Sequence, residues 1–219
     1  MALLLGVREQ RVQFWYDSDF ASVGLISSGL DQAKAQKQLF NGTANLGDTT
    51  RSNMPSSGFF AGDMTFLCFS VRHEIGYWGG TTSGALTSGA APATTNFTYT
   101  ASVAVMTIHL STFQFQVGDK PMFDGPVSMT PSGAGPWGFV NDSIQPLIQN
   151  GEPQSRAIYV LPLPIAISKR QQIRVTENKP SSQANGGSTT YDLVTAINNY
   201  NGAKVFRCHL DGFSTRDVQ

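Results

Sequence analysis

The sequence has few charged residues, and this shortage excludes several classes of protein. Charged side chains make up 14% of the 219 residues, and 15 Lys and Arg residues balance 15 Asp and Glu residues. A protein with few and balanced charges does not present the basic surface that binds the phosphates of nucleic acids. We therefore expect no direct sequence-specific nucleic-acid binding. The same balance leaves little electrostatic repulsion between copies of the chain.

Residues that bind metals or act as nucleophiles are also scarce. The two cysteines, Cys68 and Cys208, lie in strand-like runs and are interpreted as buried reduced thiols, although a disulfide would form if those strands faced each other. None of the three histidines, His73, His109 and His209, stands at metal-ligand spacing from another. We find no nucleophile-elbow or phosphate-loop motif. The sequence therefore predicts no enzyme, no catalytic residue, no bound metal and no cofactor.

Long apolar runs are missing as well. No window approaches the roughly 20 apolar residues of a membrane-spanning helix. The N-terminal Met1–Leu5 is apolar but short, and it lacks the basic segment of a signal peptide. We expect a chain that is made and folded in the cytosol. Four scattered acids, Asp17, Asp19, Asp31 and Asp48, are interpreted as solvated turn residues, with calcium binding as the alternative.

The residues that are plentiful favour β-structure. Ala157–Glu177 contains two apolar or alternating runs around Pro162 and Pro164, and it predicts two strands joined by a proline-stiffened extended crossing. Met64–Arg72 is apolar on both alternating faces, which predicts a strand that is covered on both sides. Further strands are predicted over residues 8–17, 97–117 with a break near Ser111, 122–129 and 203–210.

These runs predict an all-β fold, an antiparallel sandwich with one or two short helices. The helical windows are Leu30–Leu39 and Tyr191–Tyr200. About eight strands in a chain longer than an immunoglobulin domain favour a single jelly roll with long loops over an Ig-like sandwich. We predict one domain over residues 1–219, with an N-terminal arm at 1–7, a long loop at 79–96 and a polar C-terminal tail at 213–219.

Three aromatic residues are the candidates for an interface or a ligand site. Tyr77 and Trp78 fall in the predicted turn Gly76–Gly80, and Trp137 falls in a glycine-rich loop as a core anchor. Exposed aromatic rings stack on sugars or fill a pocket of a neighbouring subunit. The alternative is that Tyr77 and Trp78 fold back onto their own core.

Three stretches together resemble the jelly-roll capsid proteins of icosahedral bacterial and archaeal viruses, many of which enclose a membrane. The stretches are Thr50–Pro55 with Gly58 before the strand Phe66–Val71, Leu161–Ile167 before Gln172–Val175, and Leu210–Phe213 with Arg216. The resemblance covers residues 50–216 loosely, and the chain is too short for the double-jelly-roll members.

This resemblance implies a structural viral protein, a self-assembling subunit of an icosahedral capsid that is made in the host cytoplasm and located in the virion. Its implied partners are copies of itself, other capsid proteins and an internal viral membrane. The alternative function is a carbohydrate-binding β-sandwich in which Tyr77, Trp78 and Trp137 are stacking platforms. A cupin-type enzyme would need a histidine–carboxylate metal cluster, which the sequence does not indicate.

Overall fold

Ten β-strands, two short α-helices and a 3-10 helix at Val127–Met129 make up the regular structure that the computed structural model of the chain describes. The described residues are 8–23, 33–41, 49, 51–60, 64–78, 103–133, 137–141, 144–149, 158–181, 193–200 and 203–217. The strands are β1 Arg8–Val23, β2 Gln36–Leu39, β3 Met64–Trp78, β4 Thr112–Val117, β5 Lys120–Pro126, β6 Trp137–Asn141, β7 Ile144–Gln149, β8 Val160–Ile167, β9 Ile173–Asn178 and β10 Ala203–Asp217. The helices are α1, over residues 103–110, and α2, Leu193–Asn199.

The strands form two antiparallel sheets, and their pairing is nested along the chain. Strand β1 pairs with β10, β2 with β9, β3 with β8, and β4 with β5. The first sheet runs β1-β10-β3-β8, with the hairpin β7-β6 attached to the far end of β3, and the second runs β2-β9-β4-β5. The all-β antiparallel sandwich predicted from the sequence is confirmed.

One hydrophobic core joins the two sheets. It combines residues of the first sheet, such as Phe66 and Phe206, with Phe113 and Val175 of the second. The ring of His73 in β3 lies 4.6 Å from the ring of Phe113 in β4, so aromatic side chains from the two sheets meet directly.

Strand β3 shows how the sequence builds this core. Phe66 and Cys68 are buried, whereas Leu67 between them is 37% exposed. An irregularity between Cys68 and Ser70 shifts the alternation, and from Val71 onwards the odd-numbered residues face the core. The prediction that both faces of this strand are covered was therefore wrong, because one face of the first sheet is partly open to solvent.

The stretch Ala157–Glu177 forms two strands, as predicted, but its prolines lie elsewhere than expected. Pro162 and Pro164 lie inside β8, and residues 168–172 make the connection to β9 in the other sheet. Among the described strands, β8 pairs with β3 alone. Its open side therefore tolerates residues that lack a backbone N–H.

The strand predicted over residues 97–117 was wrong for residues 103–110, and residues 97–102 lie outside the described part. Residues 103–110 form α1, and the break at Ser111 separates it from β4. Val103, Ala104, Thr107 and Ile108 are buried while Val105 is exposed, which is the spacing of a helix face rather than of a strand. The β-branched residues of this segment favour a strand, so its composition did not indicate the helical spacing.

The two helical predictions had opposite outcomes. Leu193, Ala196 and Ile197 are buried on one side of α2, so the prediction for Tyr191–Tyr200 is confirmed within residues 193–199. The prediction for Leu30–Leu39 was wrong for its described part, because Gln36–Leu39 pairs with β9 as strand β2. Tertiary pairing overrides the local helix propensity there.

The C-terminal strand is longer than the sequence suggested. Residues 213–217, which the sequence had predicted as part of a polar tail, continue β10 and pair with β1 and β3. Ser214 faces inwards, and Phe213 lies on the outer surface. At the irregularity beside Asp211, a Cβ on Gly212 would lie 2.1 Å from the carbonyl oxygen of Leu67, so this close strand contact requires glycine. The predicted arm at 1–7 and loop at 79–96 lie outside the described residues.

Candidate functional site

The three aromatic candidates do not form one exposed site. Tyr77 is fully buried in β3, where its ring packs against Tyr200 and its hydroxyl contacts Thr107 Oγ1 at 3.0 Å. The predicted turn Gly76–Gly80 was wrong over residues 76–78, because β3 continues through Trp78. Trp137 begins β6 rather than lying in a loop. The side chains of Trp78 and Trp137 lie outside the described part, so their proposed stacking role stays a prediction.

The outer face of the first sheet carries a row of exposed apolar side chains. The register aligns Val12 with Phe213 and Phe213 with Leu67, so the three lie side by side on β1, β10 and β3. Val12 is 63% exposed and Phe213 43%. Phe14 is also exposed, and Phe69 packs edge-on against Phe213 with ring centroids 5.1 Å apart. We call the five residues Val12, Phe14, Leu67, Phe69 and Phe213 the outer patch.

A belt of paired charges borders the outer patch on strands β3 and β10. Arg72 binds Asp211, with its Nη2 atom 2.8 Å from Oδ1. Glu74 accepts from Arg207 at 3.0 Å and contacts Nε2 of His209 at 3.1 Å. The hydrogen bond from His209 and the charge of Arg207 hold the pKa of Glu74 below its usual value. Opposite charges thus meet within this belt.

The outer face of the second sheet is polar instead. Along β4 the buried Phe113, Phe115 and Val117 alternate with outward-facing glutamines. Arg174 of β9 donates to Gln116 at 2.6 Å, so the outward side chains of β4 and β9 bind one another. Of the two described outer faces, the first sheet presents the apolar one.

Among the described residues, a cluster of ionisable groups is buried between the sheets. The carboxylate of Asp19 in β1 binds the ammonium of Lys179, which follows β9, and both side chains are fully buried. Lys179 Nζ also lies 3.5 Å from Glu177 Oε2, and Glu177 Oε1 lies 3.6 Å from His73 Nε2. Lys37 approaches Asp19 at 3.6 Å from the edge of the cluster.

Burial sets the protonation of this cluster. Desolvation lowers the pKa of His73 to about 3, with further contributions from His209 and Lys179, so the imidazole is neutral. Desolvation also raises the pKa of Glu177 well above its usual value, against the attraction of Lys179. Desolvation opposes the charge of Lys179, but the adjacent carboxylate of Asp19 raises its pKa. The resulting state is one ion pair, Lys179 with Asp19, beside an uncharged carboxyl and imidazole.

The hydrogen bonds around His73 fit this assignment. The hydroxyl of Thr130 donates to the carbonyl of Val127 at 3.2 Å, so it accepts from Nδ1 of His73 at 2.7 Å. Nε2 is then the unprotonated nitrogen, and it faces the carboxyl of Glu177. The uncharged pair needs no counter-ion, which lets it lie among the aromatic rings of the core.

The acids of this cluster correct one prediction from the sequence. Asp17 and Asp19 were interpreted as solvated turn residues, but both are buried in β1. Asp17 accepts from the backbone N–H of Phe40 at 2.6 Å and of Ser18 at 3.0 Å. The sequence signal was their i, i+2 spacing after Trp15, on the inward side of a strand. Asp31 and Asp48 lie outside the described residues.

The remaining candidates also occupy separate places. Cys68 and Cys208 are free and buried, and desolvation raises the pKa of Cys68 to about 12, so neither is a poised thiolate. His109 lies exposed on α1, whereas the sequence had placed it in a strand. Within the described ranges, no group of three or more histidine, cysteine or acidic residues could hold a metal ion.

Comparison with known proteins gives no relative: no family model, no curated protein and no solved structure matches this chain. Among the helices of the described segments, none has the length and apolar character needed to cross a bilayer.

Proposed function

We propose that this chain is a single-jelly-roll subunit that assembles with copies of itself into the icosahedral shell of a virus. The nested strand pairing is the observation that carries the proposal. Pairing β1 with β10, β2 with β9, β3 with β8 and β4 with β5 is the order obtained when one long hairpin is rolled into a sandwich. Rolled eight-stranded sandwiches of this kind are the architecture of many viral capsid domains. The hairpin β6-β7 is then an insertion between β5 and β8.

The distribution of polar groups supports a structural role without catalysis. The buried cluster of Asp19, Glu177 and Lys179 is closed to solvent and its charges are balanced, which suits a fixed core rather than turnover. The outer patch leaves an apolar surface exposed on one sheet, which is available to pack against another subunit. A neutral chain adds little repulsion to that packing.

Lectins and cupins share the jelly-roll architecture, so the fold by itself does not decide between these functions. Burial of Tyr77 removes one of the three platforms that a sugar-binding site would have used. The capsid proposal accounts better for the neutral charge and for the outer patch. Its further partners, other capsid proteins and an internal membrane, follow from the same proposal.

Light scattering on the purified protein after size exclusion tests the proposal, since a shell subunit forms defined multimers larger than a dimer. Deletion of residues 1–7 is expected to impair assembly while leaving the thermal unfolding of the sandwich unchanged. Trp78→Ala and a glycan array separate the rival function: loss of sugar binding in that variant supports a lectin. A monomer that binds a glycan would contradict the capsid proposal.

A further inference from the structure

We propose that the outer patch docks against the same patch of a second copy of this chain, related by a two-fold axis. The inference rests on the proposed function and names one contact of the assembly. Its starting observation is the exposed row of Val12, Phe213 and Leu67 across three neighbouring strands. Large apolar side chains in such a row lose unfavourable contact with water when a flat apolar surface covers them.

The charges around the patch argue for a second copy as the occupant. In a two-fold contact each patch meets itself, so an unpaired charge would approach its like. Here the central residues carry no charge, and the bordering Arg72 and Asp211 bind each other within one subunit. Glu74 likewise holds Arg207 and His209. The surface is therefore complementary to itself and offers little net charge to an acidic or basic partner.

Two of the edge strands, β8 and β5, contain prolines that hinder strand pairing. Strands at an open edge pair with other chains through free backbone N–H and C=O groups. Pro162 and Pro164 remove two such donors from β8, and Pro121 and Pro126 remove two from β5. Docking through the outer patch needs no backbone donors, so these prolines do not hinder it.

The size of the patch predicts a weak contact. The three neighbouring strands β1, β10 and β3, about 4.8 Å apart, and some six residues of each give a footprint of roughly 300 Å². A stable stand-alone dimer buries about 800 Å² on each partner. We therefore expect a concentration-dependent dimer that is reinforced when other contacts of the assembly form.

Two substitutions test the contact, with a control of similar exposure. Val12→Glu and Phe14→Glu place like charges across the two-fold axis, at side chains that are 63% and 52% exposed. The control is Leu110→Glu on α1, which is 50% exposed and lies outside the outer patch. Sedimentation velocity over a concentration series measures association, and circular dichroism melting verifies that each variant is folded.

The expected result is at least a tenfold weaker dimerisation in Val12→Glu and Phe14→Glu, with Leu110→Glu associating like the unaltered chain. Equal association of all three variants would overturn the inference. So would flotation of the unaltered protein with phosphatidylcholine–phosphatidylglycerol vesicles that Phe14→Glu abolishes, because the patch would then be a lipid-binding surface.

The experiment also separates this inference from the proposed function. Closed particles that form equally well with Phe14→Glu would leave the capsid proposal intact and remove the two-fold contact. Dimers that depend on Phe14, without larger particles at any concentration, would support the contact and count against the capsid. A chain that stays monomeric at the highest concentration would overturn both.

Discussion

Replacing Glu177 by Gln should change how the stability of the folded chain depends on pH. Glutamine keeps the shape of a protonated glutamic acid but cannot ionise. In the folded chain the pKa of Glu177 is raised well above 4.5 and that of His73 is lowered to about 3, so between these values the pair binds one proton, on the carboxyl. Between the ordinary values of 4.5 for Glu and 6.5 for His, the unfolded pair also binds one, on the imidazole. Folding therefore leaves the number of protons bound by this pair unchanged.

The signs of the two contributions are opposite. The depressed pKa of His73 gives stability that is present above pH 6.5 and is lost as the pH falls towards 3. The raised pKa of Glu177 gives stability that is present below pH 4.5 and is lost as the pH rises through its folded value. Where the two pH ranges overlap, the two contributions cancel and the pair's part of the stability does not change with pH. Glu177→Gln should remove the contribution that decreases as the pH rises.

The magnitude follows from proton linkage. Each pH unit changes the free energy of unfolding by about 1.4 kcal/mol for one proton. From pH 4.5 upwards, the stability of Glu177→Gln should rise relative to the unaltered chain by this amount per pH unit until the raised pKa of Glu177 is passed. Urea unfolding followed by tryptophan fluorescence at several pH values measures this difference. A difference that stays constant as the pH changes would refute the protonated carboxyl.

Three further substitutions test the packing. Lys179→Met should destabilise the fold by about 3–5 kcal/mol in urea, because it leaves the carboxylate of Asp19 buried without its main partner; a smaller loss in the double variant with Asp19→Asn would confirm the pairing, and additive losses would contradict it. Gly212→Ala should cost about 2 kcal/mol or more in the same assay, because the new Cβ would meet the Leu67 carbonyl; an unchanged midpoint would show that the strands can separate there. Lys204→Met should lower stability by about 1–3 kcal/mol and speed amide exchange in α2, since the buried ammonium donates to the carbonyls of two residues at the end of that helix; unchanged exchange would remove this capping role.

The sequence was sufficient to predict the fold class, because the alternation of apolar residues in β4, β9 and β10 is a local signal. The burial of Phe206, Cys208 and Leu210 on one side of β10 follows it directly. Local signals failed where the period changes within a segment. The helix α1 lies in a β-branched run, and the irregularity in β3 changes which residues face the core after Ser70.

The outer patch and the buried cluster could not be predicted for a different reason. Both are assembled from strands that are distant in the chain, and an acid in a strand reads as a solvated residue until its partner is known. Asp19 and Lys179 are 160 positions apart. The pairing of Val12 with Phe213 likewise depends on a register between the first and last strands. The aromatic candidates failed at Tyr77 because Gly76 suggested a turn where the strand continues.

Negative-stain electron microscopy of the purified chain over a concentration series tests the central claim most directly. The account predicts closed particles of uniform diameter and symmetry at high concentration, which dissociate on dilution through smaller multimers. A chain that remains monomeric at every concentration, with its apolar surface exposed to solvent, would contradict self-assembly as its function.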